Sequence, residues 1–257
     1  MTLVRALSAE SLKMKRTLAL KMVVLAPVAV VSLTLFMASQ APFSTLQRGT
    51  TVVDVWPRLA RVNFQFWALL MLPMYVTLQT ALIAGLDHAD NQWKALFARP
   101  VPRWTTYVAK LLVVSAMVTA SAAILVISVF GEGKFLNWLD PKLGFGAASP
   151  IAAMIRQAAE MTGLSFLFLS IQHWVSLRWR SFSVAVGFGL VATVTGFAML
   201  LTAGPHGAWP QYFPWSLPML IIVREHLNIE LILCVSWLAG ILASAAGCLE
   251  FCRREVG

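Results

Sequence analysis

The residues that could do chemistry are few and scattered. Arg156 and Glu160 stand one helical turn apart in an apolar setting. Charges at membrane depth belong to ion paths, proton relays or structural pairs, and this spacing favours mutual pairing or snorkelling of Arg156. For Gln172-His173, interfacial hydrogen bonding fits better than a proton relay. Glu230 opens an apolar run, where a carboxylate complements a helix start. Cys248 and Cys252 are one turn apart and could seed a metal site. Glu250 falls on another face, no His completes the set, and three Cys do not make a disulfide framework. Gly131-Glu132-Gly133-Lys134 lacks the earlier Gly of a phosphate loop. The zinc-protease and serine-hydrolase motifs HExxH and GxSxG are absent from the sequence. Neither a catalytic centre nor a cofactor or metal site is expected, and no string of acids supports an ion-coupled pump.

The elements that carry these residues are membrane helices. Of 257 residues, 59% are hydrophobic and 12% charged, and the mean hydropathy is +0.75. Soluble domains are about 25% charged. One polytopic all-α domain is expected over 1–257. Apolar runs long enough for a hydrocarbon core of about 30 Å place six helices at 20–40, 62–86, 107–130, 155–177, 182–202 and 229–250. The first run is too long for the core of a signal peptide.

The formal charge of +9 reads as topogenic Lys and Arg rather than a nucleic-acid surface. With the N-terminus inside, thirteen Lys and Arg fall on the cytoplasmic side and seven outside, which places both termini in the cytoplasm. Trp56, Trp138, Trp209 and Trp215 then mark the outer interface, and Trp93, Trp104, Trp174 and Trp179 the inner one.

The connections carry their own signals. Leu3, Leu7, Met14 and Leu18 fall within about 60° on a helical wheel, opposite Arg5 and Arg16, which predicts an interfacial N-terminal helix. Between helices 2 and 3, Asp90 can cap a short helix that Pro100 ends. Its apolar face is Trp93, Leu96 and Phe97. Such a face can seat in a partner's groove or lie among lipid headgroups, and the residues alone leave both readings open. The Gly- and Pro-rich stretch from Gly204 to Pro218 predicts a broken outer segment between helices 5 and 6, covered by protein.

Small residues on helix 5 (Ser183, Gly187, Gly189, Thr193) and helix 6 (Gly240, Ala243, Ser244, Gly247) suit close backbone packing, within the bundle or across a dimer seam. On helix 2, Asn63, Trp67, Leu70, Met74 and Thr77 lie within about 80° of one another. That mixed face suits amphipathic cargo or ordinary packing.

Four strings carry a family resemblance: Glu10-Ser11-Leu12-Lys13-Met14-Lys15-Arg16; Asp87 with Trp93-Lys94-Ala95-Leu96, Pro100, Arg103 and Lys110; Gln172 through Phe182; and Tyr212-Phe213-Pro214-Trp215-Ser216-Leu217-Pro218. In them the chain resembles the six-helix permease subunit of type-2 ABC exporters, in particular the lantibiotic-immunity and bacitracin-resistance branch. Asp87 departs from the Glu common there.

The resemblance implies a second permease, identical or not, and separate cytoplasmic ABC ATPase subunits that bind ATP and Mg. It makes 88–98 a coupling helix, with Asp87, Asp90, Trp93, Lys94, Leu96, Phe97 and Arg103 at the ATPase. It puts cargo near helices 2 and 5, at Asn63, Trp67, Leu70, Met74, Thr77 and Thr193. The expected protein is a non-catalytic subunit in a bacterial cytoplasmic membrane, among lipid, that expels an amphipathic compound such as an antimicrobial peptide. The alternatives are an ion-coupled secondary transporter and, third, an intramembrane enzyme.

Overall fold

The computed structural model describes residues 2–40, 55–89, 102–203, 207, 209–223 and 228–253. The chain is an all-α polytopic bundle, with no strand among the described residues. Its helices are α1 (Thr2–Met14), α2 (Leu18–Gln40), α3 (Val55–Phe66), α4 (Leu72–Ala89), α5 (Arg103–Leu139), α6 (Ile151–Arg178), α7 (Phe182–Ala203), α8 (Leu217–Val223) and α9 (Ile229–Arg253). A π-helical turn, Trp67–Met71, joins α3 to α4 in one rod. Five of these rods are long and apolar enough to cross a membrane: α2, α3–α4, α5, α7 and α9. At 28 residues α6 is also long enough, but Arg156, Gln157, Glu160, Gln172 and His173 make it more polar.

The helix boundaries follow local chemistry. Arg16, in the left-handed region at φ 69°, turns α1 into α2. Thr17 secures the corner, its hydroxyl donating to the Met14 carbonyl at 2.7 Å. This corner separates Leu18 from the face it was expected to share with Leu3, Leu7 and Met14. Pro102 and Pro150 precede α5 and α6, because the residue before a proline is disfavoured in helix. After α5 the Asp140 carboxylate accepts from the Lys142 backbone N–H at 2.9 Å.

Helix α5 runs nine residues beyond the expected limit of 130, with 37 residues in all. Glu132 and Lys134 end the charge-free run, but Glu132 is satisfied by hydrogen bonds to neighbouring helices. Gly133 admits the Trp56 ring against the helix backbone. Trp56 and Trp215 are therefore core residues, stacked on Phe130 and tilted against Phe168 respectively, rather than interfacial markers. Trp138 and Trp209 remain exposed.

Neighbouring long helices alternate in direction. The end of the bundle that gathers α1 and the last turn of α9 is here called proximal. The distal end is covered by two 3-10 turns, Trp209–Tyr212 and Pro214–Ser216, and by α8. This is the expected broken segment. The α3–α4 rod buries 56% of its most apolar window, against 28% for α7 and 17% for α9. The core therefore lies around α3, α4 and α5, and α7 and α9 present apolar flanks outward.

Candidate functional site

Two polar clusters stand out because buried polar groups are costly without partners. At the proximal end, the Lys110 ammonium donates to Glu10 Oε2 at 2.6 Å, with the lysine fully buried. Lys13 reaches the other oxygen of Glu10 at 2.9 Å. These contacts anchor α1 to the start of α5. Arg103, the first residue of α5, donates Nη1 to the Cys252 carbonyl at 3.2 Å. Beside it, Tyr107, Ala84, Leu177 and Phe251 pack together from α5, α4, α6 and α9. The Glu250 carboxylate accepts from Trp174 Nε1 at 2.7 Å and pairs with Arg178 at 2.7 Å.

This platform holds both ends of the connection between helices 2 and 3. On the α4 side Ala84 is buried in it, and on the α5 side Arg103 is tied to α9. Of the expected docking residues, Asp90, Trp93, Lys94, Leu96 and Phe97 lie outside the described residues, and the Asp87 side chain does too. His173 belongs to the proximal platform. It is buried with its ring edge-on to Tyr107 at 4.8 Å.

The helix 2 face expected from a uniform wheel splits in two. A π-turn adds a residue to one turn and so rotates the register by about 100°. Before it, Asn63 points to α2 and α5. Beyond it, Thr77 packs against Gly189 of α7, whose carbonyl accepts from the Thr193 hydroxyl at 2.7 Å. Trp67 is buried, Met74 half-buried and Leu70 exposed. Thr77 and Thr193 are thus brought to one α4–α7 contact, and Leu70 opens to the outside.

The small residues of helix 6 pack inside the bundle. A Cβ on Gly240 would meet Phe166 of α6 at 2.6 Å, and one on Gly247 would meet Tyr107 and Trp174. Gly187 on α7 faces open space. Arg156 and Glu160 approach to 3.7 Å with the arginine largely exposed, a surface pair. An apolar groove of about 560 Å³ between α5 and α6, lined by Ala122, Ala158 and Thr162, was not foreseen. No group of three or more His, Cys, Asp or Glu among the described residues could hold a metal.

The distal cluster joins Thr34, Asn63 and Glu132, all buried, from α2, α3 and α5. Sequence reasoning passed over Glu132, seeing it only inside a failed phosphate-loop string. A signal was present: Lys110 and Glu132 lie 22 residues apart, about 33 Å along a helix and close to one hydrocarbon thickness. Glu10 and Lys110 were noticed as separate strings, not as a pair.

A family model described as "ABC-2 family transporter protein" matches residues 6–196, from α1 into α7. No curated protein and no solved structure matches the chain.

Proposed function

The chain belongs to the ABC-2 transporter family, and on that premise we propose that it is the permease of an ATP-driven exporter whose cytoplasmic ATPases seat against segment 88–98. Membership makes it an integral membrane subunit of an ABC transporter, a family that works with an ABC ATPase. The finer reading is a non-catalytic permease, paired with a second permease, in a bacterial cytoplasmic membrane. Its termini and proximal end face the cytoplasm, and ATP and Mg bind to the partner. The cargo is an amphipathic compound, of the kind handled in lantibiotic immunity.

One observation carries the docking reading: the proximal platform clamps both flanks of the segment, through Ala84 on one side and Arg103 on the other. A push from an ATPase bound at this segment would reach α4 and α5 through these two attachments. Trp93, Leu96 and Phe97 supply the apolar anchors, and Asp87, Asp90, Lys94 and Arg103 the polar rim. Cargo contacts fall to Leu70 and Met74 on the open side of the α3–α4 rod and to Thr77 and Thr193 beside Gly189, where α4 meets α7. Asn63 and Trp67 support that rod from the core.

The test is co-purification from the native host. Wild type brings down a soluble subunit bearing a phosphate loop, and Trp93→Asp with Phe97→Asp loses it while remaining folded and membrane-inserted. A folded double variant that still associates and transports refutes the docking reading. A chain that purifies alone and transports in vesicles without ATP refutes the exporter reading in favour of a secondary transporter.

A further inference from the structure

With Glu132 ionised, the distal cluster would hold more acceptors than its protons can serve. The Thr34 hydroxyl oxygen lies 2.9 Å from Glu132 Oε1 and 3.1 Å from Asn63 Oδ1, and it also reaches the Val31 carbonyl at 2.9 Å. A hydroxyl has one proton to donate. The Asn63 amide orientation is fixed, because its Nδ2 faces the Leu59 carbonyl at 3.1 Å and Glu132 Oε2 at 2.7 Å. Both amide protons are therefore spent.

If Glu132 were a carboxylate, Thr34 could bridge to Glu132 or to Asn63 but not to both. One proton on Glu132 lets the three side chains close on one another: Glu132 Oε1–H to Thr34, Thr34 O–H to Asn63 Oδ1, and Asn63 N–H to Glu132 Oε2, while the Val31 carbonyl lies inside α2 and is left to its helical bond. The ring is then closed, with each member donating once and accepting once around it.

The charged surroundings agree. No ion pair among the described residues involves Glu132, and an uncompensated buried carboxylate is costly. The distal half of α2 from Ser32 to Gln40 has no charged residue, nor does α8. On α3, Arg58 and Arg61 each have an interaction of their own. On α5, Lys134 is exposed beside the Phe130 ring, 5.5 Å from its centre. Asp140 and Lys142 follow on the turn beyond, where Asp140 caps the Lys142 N–H.

We propose that Glu132 is a proton-binding site whose bound proton closes this ring and latches α2, α3 and α5 at the distal end, and that losing the proton turns the Thr34 hydroxyl to the carboxylate and breaks the direct Thr34–Asn63 link between α2 and α3. The π-turn lies four residues inward of Asn63, and such turns interrupt the regular hydrogen-bond ladder and occur often at functional sites. Without the Thr34 link, the part of α3 outside that turn is held to α5 through Asn63 and Glu132 but no longer directly to α2. This inference stands independently of where an ATPase docks.

The experiment uses the full chain in lipid nanodiscs. Infrared spectra of wild type minus Glu132→Gln at neutral pH should show a protonated carboxylic-acid carbonyl band. In Thr34→Val the band should persist but shift, because the acid loses its acceptor. A difference holding only carboxylate bands at neutral pH overturns the proposal.

The latch is read by spin labels on Met37→Cys and Gln65→Cys, with the three native cysteines replaced. In wild type the distance distribution should broaden as pH rises through the range where the acid band disappears. In Glu132→Gln, whose amide N–H replaces the acid O–H, it should stay narrow. A wild-type distribution that does not respond over that range, or an equal response in the Gln variant, overturns the latch.

Discussion

The Lys110 ammonium and the Glu10 carboxylate meet at 2.6 Å although 100 residues separate them in sequence. Lys110 is fully buried and Glu10 nearly so, so the N-terminal helix is fastened to the start of α5 by a desolvated ion pair. Removing one partner from such a pair leaves a buried charge and costs about 3–5 kcal/mol. Lys110→Met should lower thermal stability in detergent by less than this, because Lys13 still pairs with Glu10. Glu10→Leu with Lys110→Met should recover most of the loss. A double variant as unstable as the sum of the singles would show that the pair is not coupled.

Gly240 and Gly187 should respond oppositely to a side chain. Gly240→Leu forces α9 off α6 through Phe166, and overpacking of this kind costs about 1–3 kcal/mol. Gly187→Ala has room and should be neutral, or stabilising by up to about 1 kcal/mol from helix propensity. Thermal melts of the two variants give the answer. If Gly187→Ala instead disrupts the oligomer seen by cross-linking, the α7 face is a seam between permeases.

Arg103 links the start of α5 to the end of α9 through the Cys252 carbonyl. A hydrogen bond from a charged group is worth about 1.5–3 kcal/mol, and partial exposure puts this one at the low end. Arg103→Ala should lower the melting temperature by a few degrees and weaken ATPase co-purification by more than a destabilised but folded chain explains. Arg103→Lys should retain part of the association. Full association in the Ala variant would remove Arg103 from the docking set.

Cargo selectivity should separate from stability along the α3–α4 rod. Leu70→Ser and Met74→Ala should change which amphipathic compounds are expelled, read as a shift in resistance profile at near-normal expression. Trp67→Ala should cost about 3–5 kcal/mol through loss of core packing. Expression and resistance should then fall together. Normal selectivity in both Leu70 and Met74 variants would move the path elsewhere.

Arg156 and Glu160 form a surface pair, with the arginine largely exposed. Such pairs contribute about 0–1 kcal/mol. Arg156→Gln and Glu160→Gln should leave stability and transport nearly unchanged. Loss of transport in either variant, with dependence on the proton gradient, would favour an ion-coupled transporter.

Some of this architecture was legible residue by residue. Apolar run lengths marked α2, α7 and α9 to within three residues at either end, because a bilayer fixes how much apolar chain a span needs. Glycine and proline marked the broken distal cover before α8. Legibility failed where an ionisable residue is satisfied by hydrogen-bond partners far away in sequence. Glu132 ended a run that the helix itself continues, since Thr34 and Asn63 satisfy its carboxyl group. It failed also at Trp67–Met71, where a π-turn breaks the constant 100° step that any wheel assumes.

The sequence by itself determined the all-α membrane class, the order of the helices and the family strings, because hydropathy and turn chemistry are local. It also contained every residue of the proximal platform and of the distal ring. Only the tertiary structure decided which of them meet: Glu10 with Lys110, Glu250 with Arg178 and Trp174, Thr34 with Asn63 and Glu132. The reason is that a polar group in an apolar bundle takes whatever donor or acceptor packing brings within reach. That depends on helix rotation and register between elements, which neither composition nor periodicity fixes.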